Sequence, residues 1–183
     1  MGRTTAPPEQ PVGGGLKRAL DIVVALTALL LLAPLLAAVA LLVLAGMGRP
    51  VLARHTRIGF GGRAIGCFRF RTTETLSPGS PLTPLGAMLV RSGIAELPQL
   101  LNVVRGEMSC VGPRPLTAEE LRRYASEAGP YLRARPGLTG AWQLGPHAPD
   151  RGEAAAIDGA YVRNWSMRGD LRILLRTIPG IER

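Results

Sequence analysis

Residues 22–48 form 27 consecutive positions without a charged side chain, and 23 of them are apolar. No other uncharged run reaches 18 residues, so the pattern contains one candidate membrane segment and excludes a multi-span transporter. A straight helix of that length measures about 40 Å, against roughly 30 Å for a hydrocarbon core. Pro34 stands near the middle, where proline removes a backbone hydrogen bond and favours a kink. Lys17 and Arg18 precede the run, and Arg49, Arg54 and Arg57 follow it. Positive residues favour the cytoplasmic side. A hairpin broken at Ala33-Pro34 keeps both clusters there, whereas a straight span puts one outside. The flanks therefore favour a re-entrant membrane helix over 16–49, and composition alone leaves a span open. The run is too long for the apolar region of a signal peptide. It is too apolar for the core helix of a chain this short.

The remaining pattern divides into short elements. Residues 1–15 carry Pro7-Pro8, Pro11 and Gly13-Gly14-Gly15, and read as a flexible tail. Residues 50–72 alternate, with turns at Gly59 and Gly61-Gly62. Cys67-Phe68-Arg69-Phe70-Arg71 has the period of a strand. Residues 76–84 form a loop. Leu85 to Val104 shows helical spacing interrupted at Ser92-Gly93 and Pro98, which predicts two short surface helices. Gly112-Pro113-Arg114-Pro115 is a rigid turn. Thr117-Ala118-Glu119-Glu120 has the form of a capping box that starts a helix to about Ser126. Arg135-Pro136-Gly137 predicts a type II turn with Gly137 at positive φ. Ala160 to Ile178 reads as helix with a break at Gly169. The expected fold is α+β and mostly helical, with a re-entrant helix over 16–49 and a compact membrane-surface domain over 50–183.

Composition sharpens this picture in three ways. The 183 residues carry a net charge of +9, which suits an anionic partner such as membrane phosphates or a nucleotide. Aromatic residues are only 4%, too few for a stacking platform that binds single-stranded nucleic acid. Cys67 and Cys110 match no metal or redox spacing, and neither His55 nor His147 sits in a metal-ligand spacing. What stands out is arginine beside rigid turns: Arg71, Arg114 and Arg135. A guanidinium fork matches two phosphate oxygens, although each arginine taken singly also suits a surface charge or a helix cap.

The order of the motifs resembles the bacterial sugar transferase family, the monotopic phosphoglycosyl transferases that act on polyprenol phosphate. The matching segments are Leu16-Lys17-Arg18-Ala19-Leu20-Asp21 before the apolar hairpin; Arg57-Ile58-Gly59; Phe70-Arg71-Thr72; Glu96-Leu97-Pro98-Gln99-Leu100-Leu101-Asn102; Val111-Gly112-Pro113-Arg114-Pro115; Arg135-Pro136-Gly137-Leu138-Thr139-Gly140; and Asp158, Tyr161, Trp165 and Asp170. With the closing Thr177-Ile178-Pro179 they cover residues 16–179. The resemblance extends to the members that start exopolysaccharide assembly with galactose-1-phosphate.

That resemblance implies transfer of a sugar-1-phosphate from a UDP-sugar to undecaprenyl phosphate, with release of UMP. It implies a cytoplasmic-face site on the bacterial inner membrane, with no nucleic acid and with other polysaccharide assembly proteins as possible partners. In the family an Asp-Glu pair works with Mg²⁺, and the Asp attacks phosphorus to form a covalent intermediate. Here the pair maps onto Ala95-Glu96. Ala95 has no nucleophile, and Glu96 is left as the magnesium ligand. Arg71, Arg114, Arg135 and Asp158 are carried over as substrate or phosphate contacts. Pro146-His147 stands where the family has a glycine-arginine pair, so His147 takes the place of a phosphate ligand. Thr73 replaces the usual methionine. Two readings follow: an active transferase, or an inactive membrane-bound homologue that binds or scaffolds in the same pathway.

Overall fold

The computed structural model describes residues 10–77, 79–144 and 151–177. A long helix, α1 (Gly14–Met47), leads into an antiparallel hairpin of β1 (Leu52–Ile58) and β2 (Ala64–Phe70). Then come α2 (Pro84–Arg91), a 3₁₀ segment (Ile94–Gln99), α3 (Leu100–Arg105) and β3 (Ser109–Val111). The chain continues through α4 (Ala118–Arg122), α5 (Ala128–Tyr131), β4 (Gly137–Thr139), α6 (Arg151–Arg163) and α7 (Met167–Thr177). β3 and β4 pair in parallel. This is the expected α+β architecture, dominated by helix.

Helical backbone continues through Pro34, so the two halves of the membrane helix form one element rather than two separated by a gap at Ala33-Pro34. Loss of one backbone hydrogen bond is tolerated in a helix held by 33 other residues. Its contact residues are Lys17, Asp21, Ala25, Val39 and Val43, spaced by four within each half and by fourteen across the middle. The first half packs with Ile65, Val103 and Ile173, and the second half with Phe70, Leu89 and Ala95. Both ends thus rest on one body. The opposite face exposes Leu16, Leu26, Leu30, Leu31 and Leu41, giving a membrane-associated helix with lipid-compatible chemistry on its outer side.

The N-terminal tail is shorter than expected. Within residues 10–15, the Val12 N–H bonds the Arg133 carbonyl at 2.9 Å, and helix begins at Gly14. Residues 1–9 lie outside the described residues. The capping box forms as read, with Thr117 and Glu120 bonding each other's backbone N–H. The C-terminal helix breaks at 164–166 rather than at Gly169. Ser166 Oγ accepts the Gly169 N–H at 3.1 Å and starts α7 there, so Gly169 lies inside the helix.

Gly137 is not at positive φ; it lies in β4. Its small size is needed for another reason. A Cβ on Gly137 would sit 2.2 Å from the Gly112 nitrogen, and one on Gly112 would sit 2.4 Å from the Arg135 carbonyl oxygen. The turns bearing Arg114 and Arg135 therefore pack backbone on backbone. Gly86 in α2 is tighter still, because its Cβ would lie 1.9 Å from the Thr72 carbonyl oxygen. Gly86→Ala forces α2 away from the end of β2, and we expect a loss of stability of about 3 kcal/mol or more in a denaturation midpoint.

Candidate active site

The site is built outward from the hairpin. Residues facing one another across an antiparallel pair share a face, so Ala53–Arg69, His55–Cys67 and Arg57–Ile65 line the same side. The outer edge of β2 is closed by Asn102, which is fully buried. Its amide oxygen accepts the Phe68 N–H at 2.9 Å, and its amide nitrogen donates to the Gly66 carbonyl at 2.8 Å and to Glu107 Oε2 at 2.6 Å. This clamp docks α3 and the 3₁₀ segment against the hairpin.

Docking separates the two residues of the Ala95-Glu96 pair. Ala95 is completely buried against Val39, Val43, Phe70 and Leu89. Glu96 leaves its side chain half exposed, with Oε1 3.9 Å from the Arg69 guanidinium. His55 has Arg57, Arg69 and Glu96 as its charged neighbours. Burial, then Arg57 and Arg69, hold its imidazole below the ordinary histidine pKa, with Glu96 opposing. One carboxylate thus stands on a basic face of Arg57, His55 and Arg69. Cys67, buried across from His55, is inert: burial pushes its thiol up to about 11.

A cavity of about 170 Å³ lies beyond the end of β1, lined by Arg114, Leu116, Glu120, Arg123, Tyr124 and Ala154, with Leu116 bridging to Ile58. Its wall is tied to the end of β1. Tyr131, buried, donates its hydroxyl to the Ile58 carbonyl at 2.7 Å and accepts the Leu116 N–H at 3.2 Å. Burial raises the Glu120 pKa, but bonds from Thr117 and the charges of Arg114 and Arg57 outweigh it, so Glu120 is held below the ordinary range. Arg57 and Arg114 therefore act on the same carboxylate.

Asp158 on α6 supports the cavity from below. It is 1% exposed and accepts the Arg114 N–H at 3.2 Å and the Tyr124 hydroxyl at 3.1 Å on Oδ2. Burial outweighs these bonds and the Arg114 charge, and its pKa is raised to about 7. The folded state therefore binds a proton there that the unfolded state releases above the ordinary carboxyl value of 3.8. This contribution is present below about pH 4 and fades as pH rises towards 7, by about 4 kcal/mol in total. Asp158→Asn should flatten that slope, which denaturation curves at pH 5 and pH 8 would read directly.

The other expected residues are placed elsewhere. Arg71 is buried, and its Nε and Nη1 donate to the Thr73 and Arg49 carbonyls at 2.8 and 3.1 Å. It staples the α1–β1 connection to the end of β2. Arg135 has Arg18 and Asp21 of α1 as its charged neighbours; burial first, then Arg18, lowers its pKa, and Asp21 opposes. It is thus beside the start of α1 rather than in the Glu96 group. His147 lies outside the described residues. Sequence reasoning passed over His55 and Arg69 as site residues. Their signal was the alternation that puts Arg69 and His55 on one hairpin face.

The expected Mg²⁺ has one carboxylate here. Among the described residues, no group of three or more His, Cys, Asp or Glu side chains converges as a metal cage. Magnesium commonly keeps its waters and takes one or two carboxylates with substrate phosphates. The exposed Glu96 carboxylate fits that kind of shared site.

An apolar helix lying along a small α+β body, with a carboxylate on a basic face beside it, defines a membrane-associated phosphate-handling protein. Comparison with known proteins identifies it further: the chain belongs to the bacterial sugar transferase family, whose pattern matches residues 13–182. It is 40% identical to the exopolysaccharide production protein ExoY of Rhizobium meliloti, over 94% of this chain and 88% of that protein. It is 37% identical to the UDP-glucose:undecaprenyl-phosphate glucose-1-phosphate transferase of Caulobacter vibrioides, over 90% and 69%. It is 33% identical to the undecaprenyl-phosphate galactose phosphotransferase of Salmonella typhimurium, over 92% of this chain and 40% of that longer protein.

Proposed function

We propose that this protein transfers a sugar-1-phosphate from a UDP-sugar to undecaprenyl phosphate, as the first step of exopolysaccharide or other surface-glycan synthesis. The observation that carries the reading is Glu96, exposed on a face bearing Arg57, His55 and Arg69 in a chain that matches the family almost end to end. The relatives named for galactose and glucose transfer make UDP-galactose and UDP-glucose the substrates to test. The alternative of an inactive scaffold gains no support from these relatives.

The chemistry assigns each group a task. A diphosphate and a lipid phosphate repel one another, and the basic face offsets that repulsion. Arg57, Arg69 and Arg114 bind the diphosphate, and Asp158 fixes the loop that presents Arg114 through its backbone. Glu96 would hold Mg²⁺, which when bound would neutralise phosphate charge. UMP leaves with the bridging oxygen, and the sugar-bearing phosphorus passes to an oxygen of the lipid phosphate.

The site belongs at the cytoplasmic face of the inner membrane in this reading. UDP-sugars are made in the cytoplasm, and positive residues flank α1 at both ends. A helix of 34 residues is about 51 Å long. Both of its halves pack on the same body, which supports entry and exit on one side of the membrane. The test is UMP release from each UDP-sugar in the presence of undecaprenyl phosphate and Mg²⁺. Release that depends on the lipid is expected, and its absence with every UDP-sugar would reject the function.

A further inference from the structure

We propose that His55 is the nucleophile of this transferase, in place of the carboxylate that Ala95 lacks. The inference rests on the transferase reading above and adds the residue that reading leaves out. Position 95 offers only a methyl group, and that methyl is fully buried against Phe70 and Leu89. A covalent route therefore needs another atom on the Glu96 face.

His55 meets the geometric requirements. It is exposed at the centre of β1, directly across from Cys67. Arg69 is its diagonal neighbour on the same face, at the roughly 7–8 Å spacing of such pairs, within reach of a long side chain. Arg69 in turn approaches Glu96 at 3.9 Å. Arg57 lies two residues along β1, on the same side. A phosphate drawn between these two guanidiniums would lie over the imidazole. The competing nucleophiles are poorly placed. Cys67 and Cys110 are buried, and Ser92 Oγ donates to the Met88 and Leu89 carbonyls behind α2.

The step balances as follows. An unprotonated imidazole nitrogen attacks the sugar-bearing phosphorus and forms an N–P bond. The P–O bond to the uridine side breaks, and UMP leaves with that oxygen and its electron pair. The imidazole keeps the proton on its other nitrogen. An oxygen of undecaprenyl phosphate then attacks the same phosphorus, the N–P bond breaks, and the imidazole is restored.

The test is a single-turnover experiment on the full chain with UDP-galactose or UDP-glucose and no lipid acceptor. One equivalent of UMP and a hexose-phosphate adduct on the β1 peptide are expected, the adduct cleaved by mild acid and stable to alkali as N–P bonds are. His55→Gln should lose the adduct and reduce lipid-dependent UMP release at least a hundredfold, with an unchanged melting temperature. Lipid-dependent UMP release by the native chain without any acid-labile adduct would overturn the proposal, as would full activity in His55→Gln. No UMP release by the native chain under any condition would instead overturn the transferase reading itself, and the assignment of His55 with it.

Discussion

Glu96→Ala is expected to reduce UMP release about a thousandfold while leaving the melting temperature within a degree or two of native. Phosphoryl transfer depends on neutralising charge on the phosphates, and a metal or cation at that point contributes several kcal/mol. Glu96 is the exposed carboxylate on the basic face, so in the proposed reading its removal takes away the oxygen pair that would hold Mg²⁺. The fold should not notice. The Arg69–Glu96 pair is half exposed and 3.9 Å apart, a surface pair worth at most about 1 kcal/mol. Glu96→Gln should behave like Glu96→Ala in turnover, because the amide keeps the shape and loses the charge. Turnover within tenfold of native in both variants would remove Glu96 from the chemistry.

Lys17→Met is expected to have the opposite profile, a collapse of stability before any question of catalysis. Lys17 Nζ lies 2.5 Å from Asp170 Oδ2, and the two side chains are 7% and 0% exposed. Trp165 Nε1 also donates to Asp170 at 3.0 Å, and the Tyr161 hydroxyl donates at 2.7 Å. The pair joins the first turn of α1 to the first turn of α7. Removing the lysine leaves a buried carboxylate with neutral donors only, which costs about 3–5 kcal/mol. Whole-domain stabilities are commonly about 5–15 kcal/mol. The double variant Lys17→Met with Asp170→Asn should recover part of the loss, since the asparagine oxygen still accepts from one of Trp165 and Tyr161 without carrying charge. Thermal unfolding in detergent of the two single variants and the double variant measures this coupling directly. Equal destabilisation in the single and double variants would show that the pair is not the fastening between α1 and α7.

Asp21 makes a second fastening one turn further on. Its Oδ1 accepts the Ser109 hydroxyl and the Cys110 N–H, both at 2.9 Å. Two buried acid contacts thus hold the entry of an otherwise apolar helix. Hydrophobic burial along α1 is non-directional and would allow the helix to slide. The two carboxylate contacts fix its register against β3 and α7.

The sequence alone determined what is local or compositional. An uncharged run of 27 residues has to be buried in protein or lipid, and a chain this small cannot bury it. The capping box at Thr117, the hairpin turns at Gly59 to Gly62 and the short helices around Pro98 follow from backbone chemistry within a few residues. The retained Glu96 and the loss of a nucleophile at Ala95 were legible because they are single side chains in an ordered set of motifs. What lay beyond the sequence depends on distant segments meeting. Gly137 is glycine because the Gly112 backbone passes 2.2 Å from its would-be Cβ, not because of its own φ. Arg71 bonds the carbonyls of Arg49 and Thr73, one 22 residues away, and Arg135 faces Arg18 and Asp21. Both halves of α1, on either side of Pro34, are held on the body by two separate clusters that only the packed chain brings together. His55 joined the site only when the hairpin register set it diagonal to Arg69 and the Asn102 clamp brought Glu96 to the same face. Such pairings are free-energy minima of the whole packed chain, and no local pattern contains them.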